Sequence, residues 1–243
     1  LLAGQLAGQV VSAVMLGRGI RYFHIDYKRF FELANRYKYS SGYNLLTAFV
    51  YTLQSHLPIL LSASFYSAKE VGWLALSLRV VATPVQMIST SLGRVYLSRA
   101  AELARQSPES LRMLVFRTLK LLFLLAVAPA LVLSVVAPML FAWLFGADWR
   151  TSGEYLQILA PMLLINLVVF PVHHTPTILN QPSVLFVIET LRMFLVFLSF
   201  WLPGAFNQPF QMALWAYSAT YILTQLLLIG VIIKLLYSLQ SRR

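Results

Sequence analysis

"VGWLALSLRVVATPVQMISTSLGRV", residues 71–95, is long and apolar, yet it carries Arg79, Thr83, Pro84, Gln86, Thr90 and Arg94. About 20 such residues in a helix cross a bilayer core of about 30 Å. A guanidinium in hydrocarbon costs about 3 kcal/mol on insertion scales. Thr83, Gln86, Thr90 and the small Gly93 follow Arg79 at offsets of 4, 7, 11 and 14, so they share one helix face. Leu78, Val81, Val85, Ile88 and Leu92 form the opposite face. A helix that is amphipathic inside a membrane turns its polar face to protein or to a watery cavity. Pro84 removes one helical hydrogen bond and marks a flex point. Arg79 lies about 12 Å into the span at 1.5 Å per residue. Its side chain either snorkels to the interface or serves a cavity, and the stripe favours the cavity.

The rest of the chain fits the same solvent. Of 243 residues, 59% are hydrophobic and 11% charged, where soluble proteins carry about 25% charged. The mean hydropathy is +0.72. Six further apolar segments, 1–16, 42–65, 113–141, 155–172, 184–202 and 210–236, make seven spans in all. They are long, Leu-rich and not alternating, which excludes the short alternating strands of a membrane barrel. The expected fold is an all-α polytopic membrane protein.

Charge sets the orientation. There are 19 Lys+Arg against 8 Asp+Glu, a formal +11. The positive residues cluster between spans, which points to anionic lipid head groups and not to nucleic acid. The links at 17–41 and 94–120 are rich in Lys and Arg, "YSAKE" (66–70) and "FGADWRTSGE" (145–154) are poor, and the tail ends in Arg242 and Arg243. The rich links and the C-terminus are therefore expected in the cytoplasm. The link "HHTPTILNQPS" (173–183) has no Lys or Arg and is silent. The segment "IDYKRFFELANRYKY" (25–39) reads either as an amphipathic helix in the interface or as an ordinary basic loop. The chain begins inside an apolar run at Leu1, so it is expected to be the C-terminal part of a longer protein.

Other spans carry polar residues too. Asn44, Thr47, Tyr51, Gln54, Pro58 and Ser62 follow at offsets of 3, 7, 10, 14 and 18 on one face. Pro58 is a second candidate flex point. Residues 210–236 offer Tyr217, Tyr221, Thr224 and Gln225. In "IETLRMF", Glu189 and Arg192 are three apart and can meet. They serve either as a structural ion pair or in a substrate or proton role. Residues 121–145 show no polar stripe and read as lipid-facing or core-packing.

Catalytic motifs are missing. There is no cysteine, no G-x-S-x-G, no P-loop and no H-E-x-x-H. His56, His173 and His174 lack partners at metal-ligand spacing. No enzyme activity, cofactor or metal is expected.

"GWLALSLRVVATPVQMISTSLGRVYLSRAAE" (72–102), "LFGADWRTSGEYLQILAPM" (144–162) and "PTILNQPSVLFVIETLRMF" continuing to "TQLLL" (176–228) together resemble the multidrug/oligosaccharidyl-lipid/polysaccharide (MOP) superfamily. Within it they are most similar to the O-antigen and exopolysaccharide (Wzx-like) flippases. The resemblance implies two six-helix lobes around a central cavity. Residues 1–17 would be the last helix of a truncated first lobe, 18–41 the cytoplasmic inter-lobe linker, and 42–243 the second lobe. It implies alternating-access export of undecaprenyl-pyrophosphate-linked oligosaccharide across a bacterial inner membrane. Protons or sodium ions would be the coupling ion, and other polysaccharide-assembly proteins possible partners. Arg79 would meet pyrophosphate or acidic sugars, with Asn44, Tyr51, Gln54, Thr83, Gln86, Thr90, Glu189 and Arg192 completing the cavity. The rival readings are a drug or cation antiporter of the same superfamily, a membrane glycan polymerase or ligase, and a lipid-binding scaffold without transport. Acidic cavity residues would favour the first, and a large outer loop the second.

Overall fold

The computed structural model describes residues 27–240, and the side chains of 39, 41–80 and 85–238 within them. The segment 1–16, expected as the first span, lies outside them. The chain divides into two units, Leu1–Ser41 and Gly42–Arg243. The described elements are helical: α1 (Tyr27–Phe65), α2 (Ala68–Gln106), α3 (Pro108–Phe145), α4 (Arg150–Val169), α5 (Thr175–Ile178), α6 (Pro182–Ala205) and α7 (Phe210–Gln240). Short 3-10 turns, Ala147–Trp149 and Phe170–Val172, flank α4. Five segments are long and apolar enough to cross a membrane, and six if the bent α2 counts as one span. These are the second to seventh expected spans, so the protein is an all-α, multi-pass membrane protein. Of the segment read as interfacial helix or loop, residues 27–39 are helical as part of α1.

Local chemistry places the breaks. Ser67 accepts from the Glu70 N–H, and the Glu70 carboxylate accepts from the Ser67 N–H at 2.9 Å, a capping box that opens α2. Ser107 closes α2 through its N–H to Leu103 and opens α3 by accepting from Ser110. Pro108 follows at the position where a helix does not need its N–H. Gly146, at φ 100°, ends α3 in a conformation open to glycine.

Two further turns repeat a sequence, P-x-x-x-N-Q-P, at 176–182 and 203–209. Asn180 (φ 59°) and Asn207 (φ 51°) are left-handed. Gln181 N–H donates to the Pro176 carbonyl and Gln208 N–H to the Pro203 carbonyl, each at 2.8 Å. Asn180 and Asn207 bond back to Thr177 and Gly204. Both are Schellman stops. The first closes α5 just before α6, and the second closes α6.

Packing decides which helices are central. Within its most apolar window the segment Ala147–Ile178, which contains α4, is 56% buried, while α3 is 17% buried. The stretch 121–145, without a polar stripe, thus forms the outside of the bundle. Leu124, Leu131, Val135, Met139 and Trp143 are exposed there. Gly153 lets α4 sit directly on α3: a Cβ there would overlap the backbone of Ala137 and Pro138. Pro138 has no N–H to offer the Ser134 carbonyl, and Gln157 of α4 donates to that carbonyl instead. One apolar cluster joins Leu74, Tyr155, Leu159, Val196, Phe200, Phe210 and Leu214. A second joins Tyr96, Ala100, Leu111, Val115, Val172, Leu185, Leu228 and Leu236, toward the α2–α3 junction and the end of α7. Polar residues lie between the two.

Candidate functional site: a polar cavity around Arg192

Arg192 lies ten residues after Pro182 in α6, about 15 Å along the helix and so about midway through a 30 Å hydrocarbon core. Its side chain is wholly buried. Nε donates to Thr224 Oγ1 at 2.8 Å and Nη2 to Gln225 Oε1 at 3.2 Å. Nη1 lies 3.1 Å and 3.3 Å from the two carboxylate oxygens of Glu189. The guanidinium carbon stands 4.9 Å over the Tyr221 ring, a cation–π contact of the kind that strengthens on desolvation. Tyr221 in turn donates to Asn166 Oδ1 of α4 at 3.0 Å. The charge that is expensive in hydrocarbon is therefore met on several sides by α6 and α7.

The network has an open edge. His173 Nε2 is 3.7 Å from Glu189 Oε1. The buried amide of Gln54 sits against the Glu189 carboxylate. Gln54 Oε1 accepts no hydrogen bond among the described residues. Buried acceptors are normally satisfied, so this is a place where a donor can be received. Beside Gln54 and Glu189 is a cavity of about 590 Å³. Asn44, Thr47 and Tyr51 of α1, Gln86 of α2, Asn166 of α4, His173 and His174, Arg192 of α6, and Tyr221 and Gln225 of α7 line it. Leu97, Ile178 and Leu185 also line it, so it lies in the half of the bundle that ends at the α2–α3 junction.

The expected site residues divide accordingly. Asn44, Tyr51, Gln86 and Arg192 line one cavity, with Gln54 and Glu189 buried beside it. Within the α1 stripe Thr47, Gln54, Pro58 and Ser62 are buried, and Asn44 and Tyr51 are exposed where they line the cavity, while Leu45, Phe49 and Leu60 are exposed on the other side. The helix runs through Pro58 unbroken. Arg79 is not part of this cavity; it is exposed on α2. The interior line of α2 is Leu74, Ser77, Ser89, Gly93, Tyr96 and Ala100. Ser77 is drawn in by donating to the Ser152 carbonyl. Arg79, two residues on, turns about 200° away. Thr90 donates to the carbonyls of Gln86 and Met87 and does not line the cavity. The side chains of Thr83 and Pro84 lie outside the described residues, and the segments on either side of them, Ala68–Val80 and Val85–Gln106, meet at 42°.

Asn166 and His173 were not among the expected site residues. Asn166 is a lone polar residue in "LLINLVV", with no periodic partner, and His173, weighed only as a metal ligand, lacks partners at ligand spacing. Among the described residues no group of His, Asp and Glu is placed to hold a metal ion.

The family model described as "Polysaccharide biosynthesis protein" matches residues 1–154. The chain belongs to this family. The family is related to the MOP flippases, so membership agrees with the resemblance carried by the residues. It gives the protein a role in polysaccharide biosynthesis or export at the membrane. No curated protein and no solved structure matches the chain. The matched part supplies the cavity's α1 and α2 wall. Arg192, Glu189, Thr224 and Gln225 lie beyond it.

Proposed function

We propose that this chain is the second lobe of a flippase that moves a lipid-linked oligosaccharide, an undecaprenyl-pyrophosphate-linked one by the resemblance, from the inner to the outer leaflet of a bacterial inner membrane. The observation that carries the reading is the 590 Å³ cavity whose wall joins amides, hydroxyls, imidazoles and a buried guanidinium from α1, α2, α4, α6 and α7. Dragging a sugar head group through hydrocarbon strips its hydroxyls of hydrogen bonds, at several kcal/mol each. Asn44, Tyr51, Asn166 and Gln225 replace those bonds. The lipid tail stays in the bilayer, and no covalent step is needed.

Orientation supports the same direction of movement. The cavity is in the half nearest Arg99, Arg105, Arg112 and Lys120, the basic end that the positive-inside rule assigns to the cytoplasm, together with the C-terminus. A head group loaded there meets the cavity first. Arg79 is exposed on α2 on the same helix as Gln86. In a two-lobe protein it is available to the surface that the first lobe would meet, where it attracts pyrophosphate or acidic sugars as a bidentate donor. A cation antiporter is less well supported, because Arg192 already neutralises the cavity's carboxylate, Glu189.

The test is reconstitution of the full-length protein in proteoliposomes with a fluorescent undecaprenyl-pyrophosphate-linked oligosaccharide, followed by accessibility of the label to a membrane-impermeant quencher. Transfer by the wild type, reduced at least tenfold by Asn44→Leu with Gln86→Leu at unchanged thermal stability, supports the reading. Absence of transfer by the folded wild type overturns it.

A further inference from the structure

We propose that the groove between the start of α3 and the end of α7 is a binding site for one anionic phospholipid, which seats its phosphate on Arg112, Arg117 and Lys120. The groove holds about 450 Å³ and is lined by Glu109, Arg112, Met113, Phe116, Arg117, Lys120 and Tyr237. Three cations face a single acid there. Arg117 and Lys120 are exposed and, among the described residues, make no ion pair. The Arg112 guanidinium lies 5.0 Å over the Tyr237 ring, which ties the floor of the groove to α7.

Position argues for a lipid and against a soluble anion. Lys120 is the last charge before the uninterrupted apolar stretch 121–145, so the groove sits where head groups meet acyl chains. Tyr237 is placed as interfacial aromatics are. Met113 and Phe116 are 66% and 42% exposed beside the cations. An inorganic phosphate would gain nothing from them, whereas a glycerol backbone and acyl chain would cover them. Basic residues near an anionic surface attract its head groups. A fixed cluster with an apolar shelf adds a defined place for one head group.

The experiment uses full-length protein in phosphatidylcholine nanodiscs containing graded phosphatidylglycerol, with bound lipid counted by native mass spectrometry after release. Wild type should retain about one phosphatidylglycerol more than Arg117→Ala with Lys120→Ala, with apparent affinity at least tenfold higher. Removing two other exposed cations, Arg99→Ala with Arg105→Ala, should leave occupancy unchanged. Equal retention by the groove variant overturns the proposal. An equal loss in the Arg99/Arg105 variant overturns it as well, since attraction would then be diffuse. Displacement of the lipid by millimolar inorganic phosphate makes this a free-anion site and also overturns it.

Discussion

Gln157 Nε2 of α4 donates at 2.5 Å to the Ser134 carbonyl of α3, the carbonyl that Pro138 leaves without its helical donor. A defect in one helix thus becomes a tie between two. Gln157→Leu leaves that carbonyl without a partner, and an unmet buried acceptor costs about 1–3 kcal/mol. The expected result is a lower Tm of the detergent-solubilised protein. In a Pro138→Ala background, where the helix can supply its own N–H, the same substitution should cost less. Equal losses in both backgrounds would mean that the bond does not compensate for the proline.

The Arg192–Glu189 pair should behave as a unit. Arg192→Leu alone strands a buried carboxylate, and Glu189→Leu alone strands a guanidinium. Breaking a buried pair from one side costs about 3–5 kcal/mol. The double substitution removes both charges and should be far less harmful than the sum of the two. A thermal double-mutant cycle measures this, and strictly additive losses would show that the two charges are independent.

Arg79→Ala should separate stability from transport. Arg79 is exposed, and surface substitutions usually stay within about 0.5 kcal/mol. An unchanged Tm with reduced surface glycan in cells dependent on this gene is the expected outcome. Unchanged glycan at normal protein level removes Arg79 from the mechanism.

Gly153→Ala should be among the most disruptive small changes in the chain. The added methyl meets backbone atoms of Ala137 and Pro138, which cannot swing aside as a side chain would. Overpacking of this kind costs about 1–3 kcal/mol. Gly230→Ala, with open space around it, is the control and should leave Tm within about 0.5 kcal/mol of wild type. Similar Tm values for both variants would argue against the close α3–α4 contact.

Much of the fold was legible because hydropathy is a strong signal over 20 residues. The expected spans nevertheless end early: α2 continues from Val95 to Gln106, since helical hydrogen bonding does not stop where the apolar stretch does. The α1 stripe was legible because Asn44, Thr47, Tyr51 and Gln54 keep helical spacing on a face that is otherwise apolar. In α2 the same logic found Gln86, which lines the cavity, and Gly93, which is buried, but it also took in Arg79, which is exposed. The inward turn of Ser77 rests on a bond to the Ser152 carbonyl of α4, which no pattern within one helix registers. Glu189 and Arg192 declared themselves by their i, i+3 spacing, but their partners Thr224 and Gln225 come from another helix. That pairing exists only once α6 and α7 are packed.

The twin Asn-Gln-Pro turns bear on how Arg192 can travel. One closes the chain just ahead of α6 and the other closes α6 itself, each with its stop written in the local sequence. Unwinding either end of α6 by a turn would break a 2.8 Å backbone bond, Gln181 to Pro176 or Gln208 to Pro203. Under the proposed flippase reading, α6 would therefore move as one stiff unit, with its cavity-lining residues in fixed phase.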